Sequence, residues 1–210
     1  VNGKSSGAVS WLDDIAKLTH LVEQGGSRRG AQMIMLSDWH PDIVEFIISK
    51  TQNPKILRFL MQVSEDEVIR RHASEKLKFT PLTMQEEAMY QGILNYKNIP
   101  GFGGFNEEII KEAEEKLATG GNDSVHNPDF LTGANISVCL TKEFMDAVEN
   151  DGEYALRFPD VESYNKEQMK AYNEKWADCG DVREWGKMGY PVRVYRKIKA
   201  RELWNLINIC

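Results

Sequence analysis

The chain alternates short apolar runs that favour β-strands with longer stretches whose apolar residues recur at helical spacing. Strands are predicted near residues 32–38, 135–140, 154–158 and 192–197, with helical segments between them. This alternation is typical of α/β domains, in which helical crossovers join parallel strands. We therefore expect parallel pairing, with the strands near 32–38 and 135–140 in one sheet.

The stretch 54–118 has helical apolar spacing throughout, which predicts a mostly helical insertion. Three helix-start signals follow one another in it: Ser64 with Glu67, Thr83 with Glu86, and Asn106 before Glu107. The sequence "TGGNDSVHNP" is expected to close the insertion as a loop. Outside it, Ser10 is a candidate cap for the first helix and Thr141 for a later one.

Composition limits the class of protein. The 210 residues are 41% hydrophobic and 28% charged, as in ordinary globular domains, and the net charge of −6 argues against binding to a nucleic-acid polymer. Three widely spaced cysteines, Cys139, Cys179 and Cys210, suit a reducing compartment better than a disulfide scaffold or a metal site. No apolar run approaches the roughly 18 residues of a membrane span. We therefore expect a cytoplasmic protein that has no membrane partner.

The sequence at both termini indicates that we should expect an internal fragment of a larger protein. Val1 is not a start methionine, and an apolar helical pattern continues to Cys210 without a stop signal.

One short loop combines glycines with arginines inside "VEQGGSRRGAQM". The candidate nucleotide site is the 24–29 loop, which consists of Gln24, Gly25, Gly26, Ser27, Arg28 and Arg29. Glycine lets the backbone approach a ligand closely, arginine offers a planar fork to phosphate or a base carbonyl, and glutamine can both donate to and accept from a base edge. The alternative interpretation is a helix terminated by glycine, with solvated arginines.

The remaining polar candidates have structural interpretations. His40, before Pro41, is expected to make a local bond at a strand-to-helix corner, and His126 to be structural. Cys139 is expected to be a buried thiol in a strand, and Cys179 a loop residue. No histidine or carboxylate set has metal-ligand spacing. The tryptophans are interpreted as core and interface anchors: Trp11, Trp39, Trp176, Trp185 and Trp204.

A resemblance narrows these alternatives. The stretch "SGAVSWLDDIAKLTHLVEQGGSRRGAQMIMLSDWHPDIVEFI" resembles the large catalytic chain of ribonucleotide reductase, most closely its adenosylcobalamin-dependent (class II) form. "NISVCLTKEFMDAVENDGEYALRFP" and "VYRKIKARELWNLI" resemble later segments of that family, in the right order. The resemblance covers roughly 1–53 and 132–210, whereas 54–131 matches only loosely.

The resemblance implies an α/β fold that is part of a ten-stranded α/β barrel. It divides the chain into a first barrel segment (1–53), a mostly helical insertion (54–131) and a continuing barrel segment (132–210). It also implies that the 24–29 loop is the specificity loop, between the substrate base and an allosteric nucleotide at a dimer interface. Gln24 and Arg28 would sense base and effector, while Gly25 and Gly26 supply mobility.

The same resemblance implies what this stretch lacks. The radical and redox cysteines of the family are expected outside the fragment, so the fragment alone is expected to be inactive. Asn208-Ile209-Cys210 mimics half of the family's radical-cysteine motif, but it lies on a helix that precedes that motif in the family. We therefore predict no catalytic residue and no metal ligand in this stretch.

The complete enzyme would use adenosylcobalamin and a thioredoxin-type reductant. It would reduce a ribonucleotide under control of a deoxynucleotide or ATP effector, as a homodimer. Two alternatives remain: the same region of a di-iron-dependent (class I) reductase, and a stand-alone nucleotide-binding regulatory module.

Overall fold

A computed structural model describes residues 7–21, 23–24, 28–29, 32–99, 103–131 and 133–210. Residues 20, 21, 23, 24, 28, 29, 98 and 99 are described by their backbone alone. The helices of the described chain are α1 (Ala8–Leu21), α2 (Ile43–Ser49), α3 (Pro54–Val63), α4 (Glu67–Lys76), α5 (Met84–Asn95), α6 (Glu107–Thr119), α7 (Lys142–Glu149), α8 (Lys166–Cys179), α9 (Val182–Lys187) and α10 (Ala200–Ile209). The strands are β1 (Glu23–Gln24), β2 (Arg28–Arg29), β3 (Met33–Ser37), β4 (Leu77–Pro81), β5 (Asn98–Ile99), β6 (Gly103–Gly104), β7 (Gly121–Val125), β8 (Asn135–Cys139), β9 (Glu153–Pro159) and β10 (Val192–Lys199).

The strands of the described residues pair two by two. β3 and β8 are parallel, from Met33 opposite Asn135 to Ser37 opposite Cys139. This confirms the predicted pairing of these strands. β9 and β10 are antiparallel, so the expectation of parallel pairing is wrong for them. The other pairs, β1–β2, β4–β7 and β5–β6, are antiparallel too. The described residues therefore form a mixed α/β structure with small sheets, and they do not form a closed barrel.

Helix α2 lies at the centre of the main hydrophobic core. The sequence predicts an apolar stripe of Ile43, Phe46 and Ile47, and the structure buries Val44 and Ile48 as well. A helix that is apolar on all sides is one enclosed by other elements. Accordingly α1, α4, α10 and β3 all contact α2.

Local capping signals predict two of the four helix starts that the structure describes between residues 54 and 118. Thr83 and Glu86 form a reciprocal capping box, and Asn106 accepts a hydrogen bond from the backbone N–H of Glu108. The Ser64 prediction is wrong, because Asp66 is the cap of α4 and accepts from the N–H groups of Val68 and Ile69. Elsewhere Thr141 caps α7, as predicted.

Helix α1 begins at Ala8, before the predicted cap Ser10. Its first N–H group is bound by a distant side chain, because the Ala8 N–H donates to Asp42 Oδ2 at 3.0 Å. The Ser10 hydroxyl instead donates to the carbonyl of Gly7 at 3.0 Å. The cap of this helix is therefore a tertiary contact that no local spacing reveals.

The predicted loop at 119–128 contains strand β7, which is a correction. Its residues are poor strand formers, but Gly121–Val125 pairs with Leu77–Pro81 over five positions. Pairing with a partner strand overrides weak local propensity. The stretch 54–118 is still mostly helical, as predicted, since α3, α4, α5 and α6 make up most of it.

Gly121 is required by this pairing, and alanine there should destabilise the protein. A β-carbon at Gly121 would lie 2.6 Å from the Thr80 carbonyl oxygen and against the Phe79 ring. We expect Gly121→Ala to lower the free energy of unfolding by about 1–3 kcal/mol through overpacking. Gly92→Ala is the matched control: nothing lies within 4 Å of that added carbon. In α5 alanine should stabilise by about 0.5–1 kcal/mol. Urea unfolding of both variants measures the difference, and equal effects would contradict the prediction.

Candidate functional site

The 24–29 loop is partly described. β1 and β2 pair with Glu23 opposite Arg29 and Gln24 opposite Arg28. The two residues that the resemblance assigns to base and effector recognition are thus backbone partners in this strand pair. Gly25, Gly26 and Ser27 lie outside the described residues, so the mobility predicted for Gly25 and Gly26 stays a prediction.

The residues that flank the stretch 20–31 contact each other. The Thr19 hydroxyl, near the end of α1, donates to Gln32 Oε1 at 2.6 Å, just before β3. The carbonyl of Gln32 accepts from the Asn135 N–H at 2.8 Å and so continues the β3–β8 pairing. Thr19 and Gln32, the residues on either side of the stretch that contains the 24–29 loop, are therefore neighbours in space.

The β3–β8 sheet has one packed face and one open face. Ile34, Leu36, Ile136 and Val138 pack against the core. On the opposite face, Met33 is 61% exposed and Met35 is 63% exposed. Cys139 is exposed as well, so the predicted burial of this thiol is wrong. Parallel sheets are normally covered on both faces, which leaves this pair with room for further structure.

A buried carboxylate lies where β3 ends. Asp38 is fully buried, and it accepts hydrogen bonds from the Tyr154 hydroxyl at 2.8 Å and from the Thr141 N–H. Burial raises the pKa of Asp38, against the lowering effect of these hydrogen bonds. Burial also raises the pKa of the Tyr154 hydroxyl. Sequence reasoning missed this contact, and its signal was a carboxylate directly after a buried strand.

This corner joins three elements, β3, α7 and β9, at the carboxyl ends of the parallel strands. Asp38 follows β3, Thr141 caps α7, and Tyr154 lies in β9. The N–H of Arg157 donates to the Trp39 carbonyl at 2.7 Å, and the Arg157 guanidinium binds Glu143 at 2.7 Å. Both oxygens of Asp38 have protein donors, so the corner is a positioning element rather than an open ligand site.

His40 makes the local bond that the sequence predicts. Its Nδ1 accepts from the Asp42 N–H at 3.1 Å, and its ring meets that of Phe158 edge-on at 5.2 Å. Burial lowers the pKa of His40, and it also lowers the pKa of His72 in α4, beside Glu75. The folded protein therefore favours both imidazoles in the neutral form.

Because the folded protein favours both histidines in the neutral form, we expect its stability to fall in acid. Below about pH 6.5, the ordinary histidine pKa, the unfolded chain binds protons that the folded chain excludes. Each histidine should then lower the free energy of unfolding by up to about 1.4 kcal/mol per pH unit, until the pH passes its folded pKa. Urea unfolding between pH 8 and pH 5 measures this slope. His40→Gln combined with His72→Gln should flatten it, and an unchanged slope would contradict the assignment.

Several other predicted residues have defined places. Cys179 ends α8, so its assignment to a loop is wrong. Trp39 and Trp185 are buried in the core, whereas Trp11 is 66% exposed and is no core anchor. Among the described residues, no group of three or more histidine, cysteine, aspartate or glutamate side chains could hold a metal ion. Nor does the described part of the chain contain a helix with the length and apolar character needed to span a membrane.

Comparison with known proteins matches nearly the whole chain. The family model described as ribonucleotide reductase, barrel domain, matches residues 1–209. The chain is 25% identical over 228 residues to a vitamin B12-dependent ribonucleotide reductase of Agrobacterium fabrum, covering 98% of this chain and 15% of that protein. It is 47% identical over 55 residues to a vitamin B12-dependent ribonucleoside-diphosphate reductase of Thermoplasma acidophilum, covering 26% of this chain and 7% of that protein.

A vitamin B12-dependent ribonucleoside-diphosphate reductase of Mycobacterium tuberculosis is 42% identical to this chain over 55 residues. The chain spans 15% or less of the length of these relatives. A family match over residues 1–209, together with a strand pair that has the predicted parallel register, leads to one conclusion. The chain belongs to the ribonucleotide reductase barrel-domain family.

Proposed function

We propose that this chain is part of an adenosylcobalamin-dependent ribonucleotide reductase, which converts ribonucleotides to deoxyribonucleotides by thiyl-radical chemistry. The observation that carries the proposal is the family match over residues 1–209, with relatives named as vitamin B12-dependent reductases. In this proposal the chain supplies barrel strands and the loop that couples effector to substrate. The segments 1–53 and 132–210 are barrel parts, and 54–131 is an insertion between them. We propose that the protein is cytoplasmic, because its three cysteines, an odd number, suit a reducing compartment.

The open face of the β3–β8 sheet supports the barrel assignment. Two strands alone are marginally stable, and a parallel pair is normally one part of a larger covered sheet. Met33 and Met35 present apolar surface where further strands and their contents would pack. The finer proposal is that β3 and β8 are neighbours in a ten-stranded barrel.

The 24–29 loop is proposed as the element that couples effector to substrate. Its support is the backbone register of Gln24 opposite Arg28 and the anchoring of the segment by Thr19 and Gln32. A loop held at both ends, with glycines between, can change shape without disturbing the sheet. One loop that contacts two ligands is also a direct route for energetic coupling between them.

The grooves found among the described residues are small for adenosylcobalamin. Four of them have volumes of about 180 to 580 Å³. Drug-sized ligands take roughly 300–1,000 Å³, and a corrin ring with its adenosyl group is larger still. We place the cofactor against other parts of the complete enzyme and derive no step through it here. The thiols that perform radical and redox chemistry are placed there too, because Cys139, Cys179 and Cys210 do not fall at the positions that the resemblance assigns to those thiols.

Helix α1 supports the proposed homodimer. Val9 and Ala16 are buried against the chain, whereas Trp11, Ile15 and Leu18 form an exposed stripe one and two turns apart. Anchors at this spacing are typical of a helix that packs against a partner helix. The stripe adjoins the 24–29 loop in sequence, which places the loop beside the proposed interface.

Leu18→Ser in the full-length protein should weaken the dimer by about tenfold or more, since buried apolar anchors dominate interface energies. Sedimentation equilibrium measures the dissociation constant. The matched control is Met84→Ser, because Met84 is 89% exposed on α5 and lies outside the stripe. A dimer of unchanged affinity in the Leu18 variant would contradict this interface.

An activity assay of the full-length protein tests the main proposal. We expect turnover of ribonucleoside di- or triphosphates with a dithiol reductant only when adenosylcobalamin is added. Residues 1–210 alone should give none, and Cys210→Ser in the full-length protein should keep it. Turnover that needs a di-iron partner instead would favour the class I alternative. Nucleotide binding without any turnover would favour the regulatory-module alternative.

A further inference from the structure

A connected set of oxidisable rings begins at the carboxyl end of β3. We call Trp39, Trp176, Trp185, Tyr172 and Tyr190 the aromatic chain. The ring centroids of Trp39 and Trp176 are 6.3 Å apart, and those of Trp176 and Trp185 are 5.6 Å apart. Trp185 stacks on Tyr190 at 4.2 Å, and Tyr172 stacks on Trp176 at 6.0 Å. Each ring therefore has a tryptophan or tyrosine neighbour within direct contact range.

The aromatic chain has a buried end and a solvent end. Trp39 is 5% exposed and Trp185 is fully buried. Tyr172 and Tyr190 are partly exposed. The buried end, Trp39, directly follows Asp38 at the carboxyl end of the parallel pair. In open α/β sheets this is the end at which reacting ligands bind.

We propose that the aromatic chain carries single oxidising equivalents from the carboxyl end of β3 to the protein surface. Tryptophan and tyrosine are, beside thiols, the side chains that lose one electron most readily. Closely spaced rings let an electron move in short steps instead of one long one. The biological need rests on the proposed function, because an enzyme that forms thiyl radicals must dispose of those that fail to react.

The transfer conserves electrons and protons at each step. A thiyl radical takes one electron from the Trp39 indole and one proton from water and becomes a thiol. Electrons from Trp176 and then from Tyr172, or through Trp185 from Tyr190, restore the inner rings. The outer tyrosine loses its phenolic proton to water and is left as a neutral tyrosyl radical. A soluble thiol then gives it a hydrogen atom, so the oxidising equivalent leaves as a thiyl radical in solution.

Light-driven oxidation tests this route without reductase turnover. In the full-length protein, Cys179, Cys210 and the cysteines outside residues 1–210 are replaced by serine, and a ruthenium polypyridyl photo-oxidant is attached to Cys139. This thiol is exposed, and its residue pairs with Ser37, two positions before Trp39. After a flash with an electron acceptor present, we expect a tyrosyl radical in transient absorption and electron paramagnetic resonance.

Trp176→Phe should remove most of the tyrosyl yield, because it interrupts the contact between Trp39 and both outer tyrosines. Trp204→Phe is the matched control, since Trp204 is a partly buried tryptophan of α10 outside the aromatic chain. Equal tyrosyl yields in the two variants would overturn the proposal. Circular dichroism confirms that both are folded.

A second pair keeps the test informative if the Trp176 variant unfolds. Tyr172→Phe changes a partly exposed ring and should lower the tyrosyl yield, whereas Tyr96→Phe, at a tyrosine 62% exposed outside the aromatic chain, should not. A yield that depends on Tyr96 and not on Tyr172 would overturn the route. Because the photo-oxidant replaces the enzyme's own radical, failure here leaves the reductase assignment standing, and failure of the cobalamin assay leaves this conduction result standing.

Discussion

Replacing Arg28 by alanine in the full-length protein should change which base is reduced with which effector, while stability stays nearly constant. Surface substitutions usually change the free energy of unfolding by less than about 0.5 kcal/mol. One charge-assisted hydrogen bond to a bound nucleotide is worth roughly 1.5–3 kcal/mol, or about tenfold to a hundredfold in affinity. Because one loop is proposed to contact both ligands, the loss should appear as altered coupling between them.

A competition assay with four ribonucleotides and each effector in turn measures this coupling. Gln24→Ala should act in the same direction, since its amide can discriminate base edges and alanine cannot. Arg71→Ala is the matched control, because that arginine has a 60% exposed side chain on α4 in the insertion. Wild-type base preferences in both loop variants, under every effector, would mean that the loop is only a helix terminator.

Phe46→Ala should lower the free energy of unfolding by about 3–5 kcal/mol, the usual cost of truncating a large buried aromatic side chain. Phe46 is fully buried in α2, which the surrounding helices and β3 enclose. With neighbours on all sides, the site has little freedom to collapse into the cavity. A domain of ordinary stability, about 5–15 kcal/mol, would lose a large fraction of it.

Urea unfolding followed by circular dichroism measures this loss. Phe105→Ala is the control, since Phe105 is 41% exposed in the insertion and should cost within about 0.5 kcal/mol. If Phe46→Ala cost no more than Phe105→Ala, α2 would not be the centre of the core.

The candidate site was predicted in part. The segment "QMIMLSDW" predicts a buried strand followed by a corner at His40. The structure has the strand and the corner, but Met33 and Met35 leave one face of the strand exposed. The contact of Asp38 with Tyr154 spans 116 residues, so the carboxylate after the strand marks a site but does not indicate its partner. The role of Gln24 and Arg28 comes from the resemblance and stays a prediction, although their backbones do face each other.

The sequence by itself determined the features that depend on neighbours a few residues apart. The capping box of Thr83 with Glu86, the Thr141 cap and the strand near 32–38 follow from local propensity and spacing. The family follows from the sequence as well, because a long ordered set of matched segments is specific even where single motifs are weak.

Only the tertiary structure decided the features that distant residues create. The glycine- and asparagine-rich run at 121–125 became a strand because β4 pairs with it. Asp42 caps a helix that begins 34 residues earlier. The apolar stripe of Trp11, Ile15 and Leu18 is exposed, because Val9 and Ala16 take the buried side of the helix. Hydrophobic spacing reports that a face is apolar, whereas the packing of the whole chain decides which apolar face is covered.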